Sequence, residues 1–444
     1  MQFHIDRPTA RQALPARSLP VPVRRFLHTE AAGGLVLVAA AVVALAWANS
    51  PWYESYETFW HNVVNVRVGS LGIEMDLRHF VNDGLMTLFF LVVALEIKRE
   101  LVVGDLRDRR VAALPVLAAV GGMVVPAALY LVVNAGGSGS SGWGVPLATD
   151  IAFAVGVLAL LGSRAPAALK LFLLSLAIVD DIGAIGVIAV AYTDRVDGLA
   201  VLVALAAVAG AALLRWARVW WMPAYAALGV LCWLAAYESG VHPTLAGVAF
   251  GLLAPARPRA PTEVAREWAE DLSDEPTAAE LRQMTVMATE TVSVAERLEN
   301  LLHPITSFVI VPIFALANAG VRITGDVLDA PGAAAVAGGV AVGLLVGKTV
   351  GIAGASALSV RLGLARLPDG LAWRQIVGVG AVAGIGFTVS LFIGGLAYDD
   401  ARLEDAARLA ILATSAVAAV VGSAILALGS RSARTREPSA EPAA

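Results

Sequence analysis

The chain has 444 residues, of which 58% are hydrophobic and only 15% are charged, with a net charge of −4. Soluble domains carry about 25% charged residues, so this composition excludes a soluble protein and is typical of an integral membrane protein. One cysteine, Cys232, is present, which excludes a disulfide framework and a cysteine-based metal site. We expect no cofactor and no nucleic-acid partner.

A helix that crosses a bilayer needs about 20 mostly apolar residues, and twelve stretches are candidates. They are residues 31–49, 83–101, 111–135, 147–163, 168–193, 198–217, 220–238, 242–256, 303–321, 338–360, 375–398 and 406–429. The predicted fold class is therefore an all-α polytopic membrane protein with about twelve transmembrane helices. It comprises a disordered tail (1–26), a membrane domain (27–430) and a second disordered tail (431–444).

Basic residues indicate the orientation, because Lys and Arg accumulate in cytoplasmic loops. If both termini are cytoplasmic, the inner segments hold 25 of the 32 basic residues and the outer segments hold six, while Lys348 lies within a span. This asymmetry predicts a multi-pass protein with both ends on the cytoplasmic side.

Two segments outside the spans are distinctive. Residues 50–80 contain the alternating sequence NVRVGSLGIEMDL, which predicts an outer β-hairpin with its turn at Gly69 to Gly72. Residues 257–300 carry ten acids and five arginines and are expected to form a partly helical cytoplasmic loop.

An internal repeat connects the fourth and eleventh spans. DIAFAV (150–155) matches GIGFTV (384–389) at three of six positions, and spans 3–5 and 10–12 share a long, interrupted, long arrangement. The copies are seven spans apart, so the second would cross in the opposite direction, which predicts inverted-topology repeats. Helix-breaking residues in both spans predict two discontinuous helices, although the glycines at 378–386 are also compatible with close helix packing.

Four ionisable residues lie within the spans, namely Asp150, Asp180, Asp181 and Lys348. Charges at that depth are costly and usually functional. Half-helix ends carry partial charges, so Asp150 would compensate the N-terminal ends and Lys348 the C-terminal ends. A capping role and a ligand role for Asp150 remain open, as do a structural and a functional role for Lys348.

The adjacent pair Asp180 and Asp181 points in two directions, since neighbouring helical residues are about 100° apart. One carboxylate can line a cavity while the other faces a neighbouring helix; a purely structural ion pair with Lys348 is the alternative. Carboxylate, hydroxyl and backbone oxygens suit a hard cation, and the same carboxylates bind protons. A proton and a small cation would then compete for one site, and if that site alternately faces each side, the competition yields exchange.

Three other functions are weaker alternatives. A carrier of an organic anion would need an unpaired basic residue, whereas acids outnumber the single Lys; potassium or calcium exchange stays open. An intramembrane aspartyl protease needs two aspartates on separate helices, and an ion channel would offer repeated filter residues. Neither pattern is found in the sequence.

The motifs around these residues resemble the NhaA sodium/proton antiporters from about Phe26 to Leu428. The similarity rests on NDGLMTLFFLVVALEIKREL (82–101), LATDIAFAVGVLALLGSR (147–164), LSLAIVDDIGAI (174–185), SGVHPTLAGV (239–248), LENLLHP (298–304), FALANAGV (314–321), GKTVGI (347–352) and GIGFTVSLFI (384–393). Inverted repeats and interrupted spans are themselves features for which that family is known. The long acidic loop at 257–300 departs from the family pattern.

The resemblance implies a role for each ionisable residue. Asp181 would be the principal sodium-binding and proton-carrying carboxylate, with Asp180 essential beside it and Thr149 as a supporting oxygen ligand. Asp150 and Lys348 would compensate the broken-helix termini, and Lys348 would also be able to pair with Asp180.

Four further residues match positions tied to pH activation at the inner face: Glu96, Glu100, His242 and Glu299. Solvated surface charges are the alternative for the three glutamates, and capping or packing is the alternative for His242. The resemblance also implies an inner-membrane homodimer joined by the β-hairpin. It would be a transporter, not an enzyme, that uses the inward proton gradient to expel sodium or lithium electrogenically.

Overall fold

The structure, a computed structural model, describes residues 30–434 apart from 69–70, 194–195, 220, 259, 262, 264–265, 267–276, 326 and 369. The predicted tail at 1–26 lies outside the described residues. Within the described range the chain is mostly helical, and a two-stranded hairpin is attached to the helices.

The described helices are numbered in chain order. They are α1 (Glu30–Ala48), α2 (Tyr53–Trp60), α3 (Leu77–Val102), α4 (Arg109–Val133), α5 (Ile151–Leu160), α6 (Ala167–Ala191), α7 (Gly198–Trp216), α8 (Met222–Ser239), α9 (Thr244–Leu253), α10 (Ala278–Glu290), α11 (Val294–Asn318), α12 (Ala333–Arg361), α13 (Trp373–Val382), α14 (Phe387–Ala397) and α15 (Ala401–Arg434).

Seven described helices are long and apolar enough to cross a membrane: α3, α4, α6, α7, α11, α12 and α15. The number rises to as many as ten if each bent helix pair is one span, and α9 is a shorter apolar helix. The chain is therefore an all-α polytopic membrane protein, as the hydropathy predicted. The twelve spans and the inverted repeat stay predictions.

Two of the bent pairs fall where the sequence predicted discontinuous helices. The 3₁₀ segment Ser140–Leu147 meets α5 at 41°, and α13 meets α14 at 49°. Asp150 is the N-cap of α5 and Gly386 is the N-cap of α14. The matched hexapeptides align Asp150 with Gly384, so α14 begins two residues later than the sequence match predicts. A third pair, α1 and α2, meets at 117°, which turns α2 sharply away from the direction of α1.

Several predicted helix ends were wrong by a few residues. Helix α3 begins at Leu77, where the Asp76 carboxylate accepts a hydrogen bond from the His79 amide at 2.7 Å, and α11 begins at Val294 after the Ser293 cap. A capping residue determines where a helix begins, whereas hydropathy shows only which part of the helix is apolar. Helix α15 also continues to Arg434, so residues 431–434 are helical, and 435–444 lie outside the described residues.

The predicted β-hairpin is present but shorter than 50–80. Strand β1 (Val63–Val68) pairs antiparallel with β2 (Leu71–Asp76). Gly72, which the sequence assigned to the turn, lies in β2 opposite Arg67. The register of the pairing decides the position of the turn, and two nearby glycines made that register ambiguous in the sequence.

The long loop at 257–300 is only partly described, since most of residues 262–276 lie outside the described part. Its second half contains α10, which begins with a capping box between Thr277 and Glu280, and the first turns of α11. The prediction of partial helicity is confirmed for these residues.

Helices α4 and α12 cross at very short range. A Cβ atom on Gly351 would lie 2.2 Å from the Gly121 carbonyl oxygen, and one on Gly121 would lie 2.4 Å from the Gly351 carbonyl oxygen. In lipid, helix association depends on this kind of close packing of small residues. The crossing lies one turn from Lys348 and holds that part of α12 against α4.

We expect Gly351→Ala to lower the free energy of unfolding by about 1 to 3 kcal/mol, because the new methyl group must push the two backbones apart. Gly354→Ala is the matched control, since no atom lies within 4 Å of its added Cβ. Thermal unfolding in detergent measures both variants. Equal stability of the two would show that the crossing tolerates the methyl group.

Candidate functional site

The Asp150 carboxylate caps both helices that start inside the membrane. Its Oδ1 accepts a hydrogen bond from the Phe153 amide of α5 at 3.0 Å. Its Oδ2 accepts from the Thr388 amide of α14 at 3.1 Å and from the Thr388 hydroxyl at 2.6 Å. Side-chain oxygens satisfy N-terminal amides in this way, and their negative charge is stabilised by the helix dipoles. Asp150 thus lies where it accepts hydrogen bonds from the starts of α5 and α14, and its role in compensating their charge stays a prediction.

The two breaks also bond directly to each other. The Asp150 amide donates to the Ile385 carbonyl at 2.7 Å, and the Thr149 hydroxyl lies 3.0 Å from the Ala383 carbonyl at the end of α13. The Ser390 hydroxyl of α14 donates to the Val145 carbonyl at 2.7 Å. These contacts join the segments before and after each break into one unit.

Lys348 pairs with Asp180 and not with a helix end. Its ammonium forms an ion pair with Asp180 Oδ2, and both side chains are fully buried. Among the described residues that carboxylate is the only hydrogen-bond acceptor of Lys348 Nζ. The Ala383 carbonyl at the end of α13 contacts the Thr149 hydroxyl, and compensation of the C-terminal ends by Lys348 stays a prediction. The pairing that the family resemblance implied is confirmed.

Asp180 Oδ2 also accepts the Thr149 hydroxyl at 2.7 Å, so one oxygen of this carboxylate has two donors. The other oxygen, Oδ1, is buried and has no hydrogen-bond partner among the described residues. A buried polar atom of this kind is unusual, because burial without a partner is costly. Asp180 thus binds Lys348 and Thr149 through Oδ2, and its Oδ1 is available to a ligand.

Asp181 lies next to Asp180 in a different environment. Its side chain is 6% exposed, and no described residue donates a hydrogen bond to its carboxylate. The charges within electrostatic reach are the carboxylates of Asp180, Glu96 and Asp150 and the ammonium of Lys348. Negative groups therefore outnumber the single positive group around Asp181, which favours a bound cation or a proton there.

The four residues expected to sense pH do not form one group. Glu96 lies within electrostatic reach of Asp181. Glu100 accepts a hydrogen bond from the Asp105 amide at 2.7 Å near the surface. Glu299 is buried, and its Oε1 lies 3.0 Å from the Arg99 guanidinium.

His242 lies apart from those three glutamates. Its Nδ1 lies 2.8 Å from the Thr244 hydroxyl, and its Nε2 lies 3.7 Å from Asp83 Oδ1. Asp83 precedes Glu96 by more than three turns of α3, which is about 20 Å along the axis. His242 is therefore distant from Glu96, and a shared role of the four residues in pH sensing stays a prediction.

Thr388 was missed by sequence reasoning, although it lies within the matched hexapeptide GIGFTV. Its hydroxyl and amide both reach the Asp150 carboxylate across the two breaks. A threonine in an apolar run gives no signal of its own, because its hydroxyl commonly bonds within its own helix. Only the position of Asp150 beside α14 reveals the role.

The available oxygens define what this site can hold. Among the described residues there is no group of three or more His, Cys, Asp or Glu side chains that could hold a metal ion. The cluster instead offers Asp181, Asp180 Oδ1 and the oxygen of Thr149. Oxygen ligands of this kind suit a small hard cation that exchanges readily, in contrast to a tightly held transition metal.

Comparison with known proteins gives one consistent result. A family model described as Na+/H+ antiporter 1 matches residues 24–426. The chain is 48% identical to "Na(+)/H(+) antiporter NhaA 3" of Frankia alni over 412 residues, covering 92% of this chain and 89% of that protein. It is also 48% identical to "Na(+)/H(+) antiporter NhaA" of Rhodopirellula baltica, covering 91% of this chain and 93% of that protein.

We expect Asp150→Ala to destabilise the protein more than Asp197→Ala does. Both residues accept hydrogen bonds from two backbone amides, but Asp197 caps α7 at an exposed position where water can replace it. Loss of Asp150 leaves buried donors on both α5 and α14, at about 1 to 3 kcal/mol for each unsatisfied group. Unfolding in detergent measures the difference, and equal losses would contradict the shared-cap role.

Removing one member of the Lys348–Asp180 pair is expected to cost more than removing both. Lys348→Met alone leaves a buried carboxylate without its counter-ion, at about 3 to 5 kcal/mol. Combining it with Asp180→Asn should restore most of that stability. A double-mutant cycle of unfolding free energies tests this, and strictly additive effects would show that the two side chains are not coupled.

Proposed function

Because the chain belongs to the Na+/H+ antiporter 1 family, we propose that it exchanges sodium or lithium for protons at the Asp180–Asp181 pair. The observation that carries the proposal is the Asp181 carboxylate, which is buried in an apolar bundle and receives no hydrogen bond from any described residue. Such a carboxylate is not held by the protein itself, so it is free to take a cation or a proton from solution.

Competition at this one carboxylate supplies the exchange. When Asp181 is ionised, the surrounding negative charge favours a cation, with Asp180 Oδ1 and Thr149 as further oxygen ligands. When Asp181 is protonated, that attraction is lost and the cation leaves. If the site opens to one side at a time, a proton must enter for each cation that leaves, and the inward proton gradient then drives sodium outward.

The neighbouring pair explains why Asp180 has a separate role. Lys348 compensates its charge, so Asp180 can stay ionised while Asp181 changes its occupant. A cation that reaches Asp180 Oδ1 competes with Lys348 for the same carboxylate, and loss of a proton from Asp181 or from the Lys348 ammonium balances the added charge. Unequal numbers of protons and cations would make the exchange electrogenic.

The crossing of the broken helices supports alternating access. Thr149 and Asp150 lie at the break before α5, and their partners Ala383 and Ile385 lie at the break before α14. In our proposal a small rotation at these breaks, which have no continuous helical hydrogen bonds to disrupt, changes the side to which Asp181 opens. Asp150 keeps both half-helices capped during the movement.

The remaining features are proposed from the same family membership. The chain would have twelve spans arranged partly as inverted repeats, with both termini in the cytoplasm of a cell inner membrane. It would act as a homodimer joined through the β-hairpin. Regulation by pH would involve Glu96, which lies within electrostatic reach of Asp181, and the ion pair between the buried Glu299 and the partly exposed Arg99. Glu100 and His242 are supported less by their contacts.

A protease function is not supported by the geometry. Two catalytic aspartates must approach a peptide bond from opposite sides, whereas Asp180 and Asp181 are consecutive residues of α6. Asp180 is moreover held by Lys348 and Thr149. We therefore propose a transporter, not an enzyme.

Asp181→Asn is expected to abolish sodium-dependent proton movement and to leave membrane insertion intact, because the amide can neither ionise nor take up a proton. The assay follows dissipation of a ΔpH in everted vesicles after sodium, lithium or potassium is added. Asp108→Asn is the control, since Asp108 caps α4 at an exposed end and Asn caps equally well. Wild-type rates in Asp181→Asn would refute the site assignment.

Calorimetry tests the competition separately. Sodium binding to the purified wild-type protein should release protons when the pH is low enough for Asp181 to be protonated, and the heat should depend on the buffer. If Asp181→Asn released the same number of protons on sodium binding, protons and sodium would compete at a group other than Asp181.

A further inference from the structure

Three tyrosines surround the irregular segment that leads into Asp150. Tyr130 lies in α4, Tyr192 caps the end of α6, and Tyr398 caps the end of α14. The ion site described above uses none of them. Their hydroxyls converge on residues 139–144, just before the break in the fourth predicted span.

The hydrogen bonds of these hydroxyls have defined directions. Tyr130 donates its single proton to the Gly139 carbonyl at 2.7 Å. Tyr398, whose oxygen lies 2.6 Å from that of Tyr130, must therefore be the donor in that pair. Tyr192 donates to the Ser141 carbonyl at 2.9 Å and accepts from the Gly144 amide at 3.2 Å.

These bonds satisfy backbone groups that the segment cannot satisfy itself. Residues 140–147 form a 3₁₀ segment that continues as extended chain at Ala148, so part of its backbone lacks helical partners. Gly139 and Gly144 are buried, and buried backbone groups require such partners from the protein because burial without a hydrogen bond is costly. The Tyr130 and Tyr192 hydroxyls supply them directly, and the Tyr398 hydroxyl donates to that of Tyr130 and packs against Gly142.

The segment packs closely around the hydroxyls. A Cβ atom on Gly142 would lie 1.7 Å from the Tyr398 hydroxyl oxygen, and one on Gly144 would lie 2.6 Å from the Tyr192 hydroxyl oxygen. Residues 144–150 are all buried, with Ala148 and Thr149 fully so. Thr149 is therefore shielded from solvent by the packed residues that precede it.

We propose that Tyr130, Tyr192 and Tyr398 are positioning residues that hold residues 139–144 in place. They thereby keep Thr149 and Asp150 against Ile385 and close this side of the path to Asp181. The part that concerns ion binding rests on the function proposed above, whereas the closure itself does not. The hydroxyls must separate from the segment before the site can open to this side.

Thiol labelling tests the closure without measuring transport. A Cys232→Ser background removes the single native cysteine. Leu147→Cys then places a reporter thiol after residues 139–144, at a position where the natural leucine is 2% exposed. Tyr192→Phe and Tyr398→Phe are then compared separately, with Tyr225→Phe as the control because its hydroxyl also bonds a backbone carbonyl, far from the segment. A membrane-impermeant thiol reagent is added to either side of oriented vesicles.

We expect labelling about tenfold faster in Tyr192→Phe and in Tyr398→Phe, from one side of the membrane only, and no change in Tyr225→Phe. Tenfold corresponds to about 1.4 kcal/mol, within the range for a lost buried hydrogen bond. Unchanged labelling in both variants would overturn the proposal. So would an equal increase in the control, which would indicate general loosening.

Hydrogen exchange gives a second readout that needs no reporter cysteine. The Gly144 amide should exchange slowly in the natural chain and about tenfold faster in Tyr192→Phe, since its acceptor is removed. An equal exchange rate in both chains would contradict the role of the Tyr192 hydroxyl.

Transport separates positioning from a merely structural effect. The half-saturating sodium concentration should rise in both tyrosine variants while the maximal rate stays near that of wild type, because Asp180 and Asp181 are intact. An unchanged half-saturating concentration in both would overturn the positioning role. If the wild type shows no sodium-dependent proton movement, the proposed function fails, and the labelling result still decides the closure.

Discussion

A helix that breaks inside a membrane exposes backbone amides and carbonyls where no water can bond them, and each one costs several kcal/mol. This chain breaks two such helices at the same place, and one carboxylate satisfies both starts. Asp150 accepts hydrogen bonds from α5 through one oxygen and from α14 through the other. Every other feature of the site depends on this shared cap, because it fixes Thr149 beside Ala383 and brings the breaks within reach of α6.

The same region shows how two identical neighbouring side chains acquire different chemistry. Asp180 points at α12, where Lys348 neutralises it, and Asp181 points to a place where no described residue donates to it. One turn from Lys348, α4 and α12 approach closely enough that a Cβ atom on Gly351 would meet the Gly121 carbonyl. Helix packing thus decides which carboxylate is compensated, and the compensated one leaves its neighbour free to change occupants.

Much of this arrangement could be predicted from the chain alone, and the failures have separate physical causes. The apolar stretches coincide with helices, but α3 and α11 begin before the predicted spans. Their starts are set by the capping residues Asp76 and Ser293, which hydropathy does not detect. Lys348 was assigned to helix ends because it was the single cation at that depth, whereas its long side chain reaches Asp180. His242 was grouped with Glu96 and Glu100, which lie at the far end of α3 from its contact with Asp83, and with Glu299 of α11.

The sequence by itself determined the membrane environment, the two interrupted helices and the four buried ionisable residues, because composition, helix-breaking residues and charge in an apolar run are local properties. Only the tertiary structure decided that Thr388 joins Asp150, that Lys348 chooses Asp180, and that three tyrosines from separate helices meet one segment. Those contacts join residues far apart in the chain. Which residues meet depends on how the helices pack against one another, and no local sequence pattern encodes that packing.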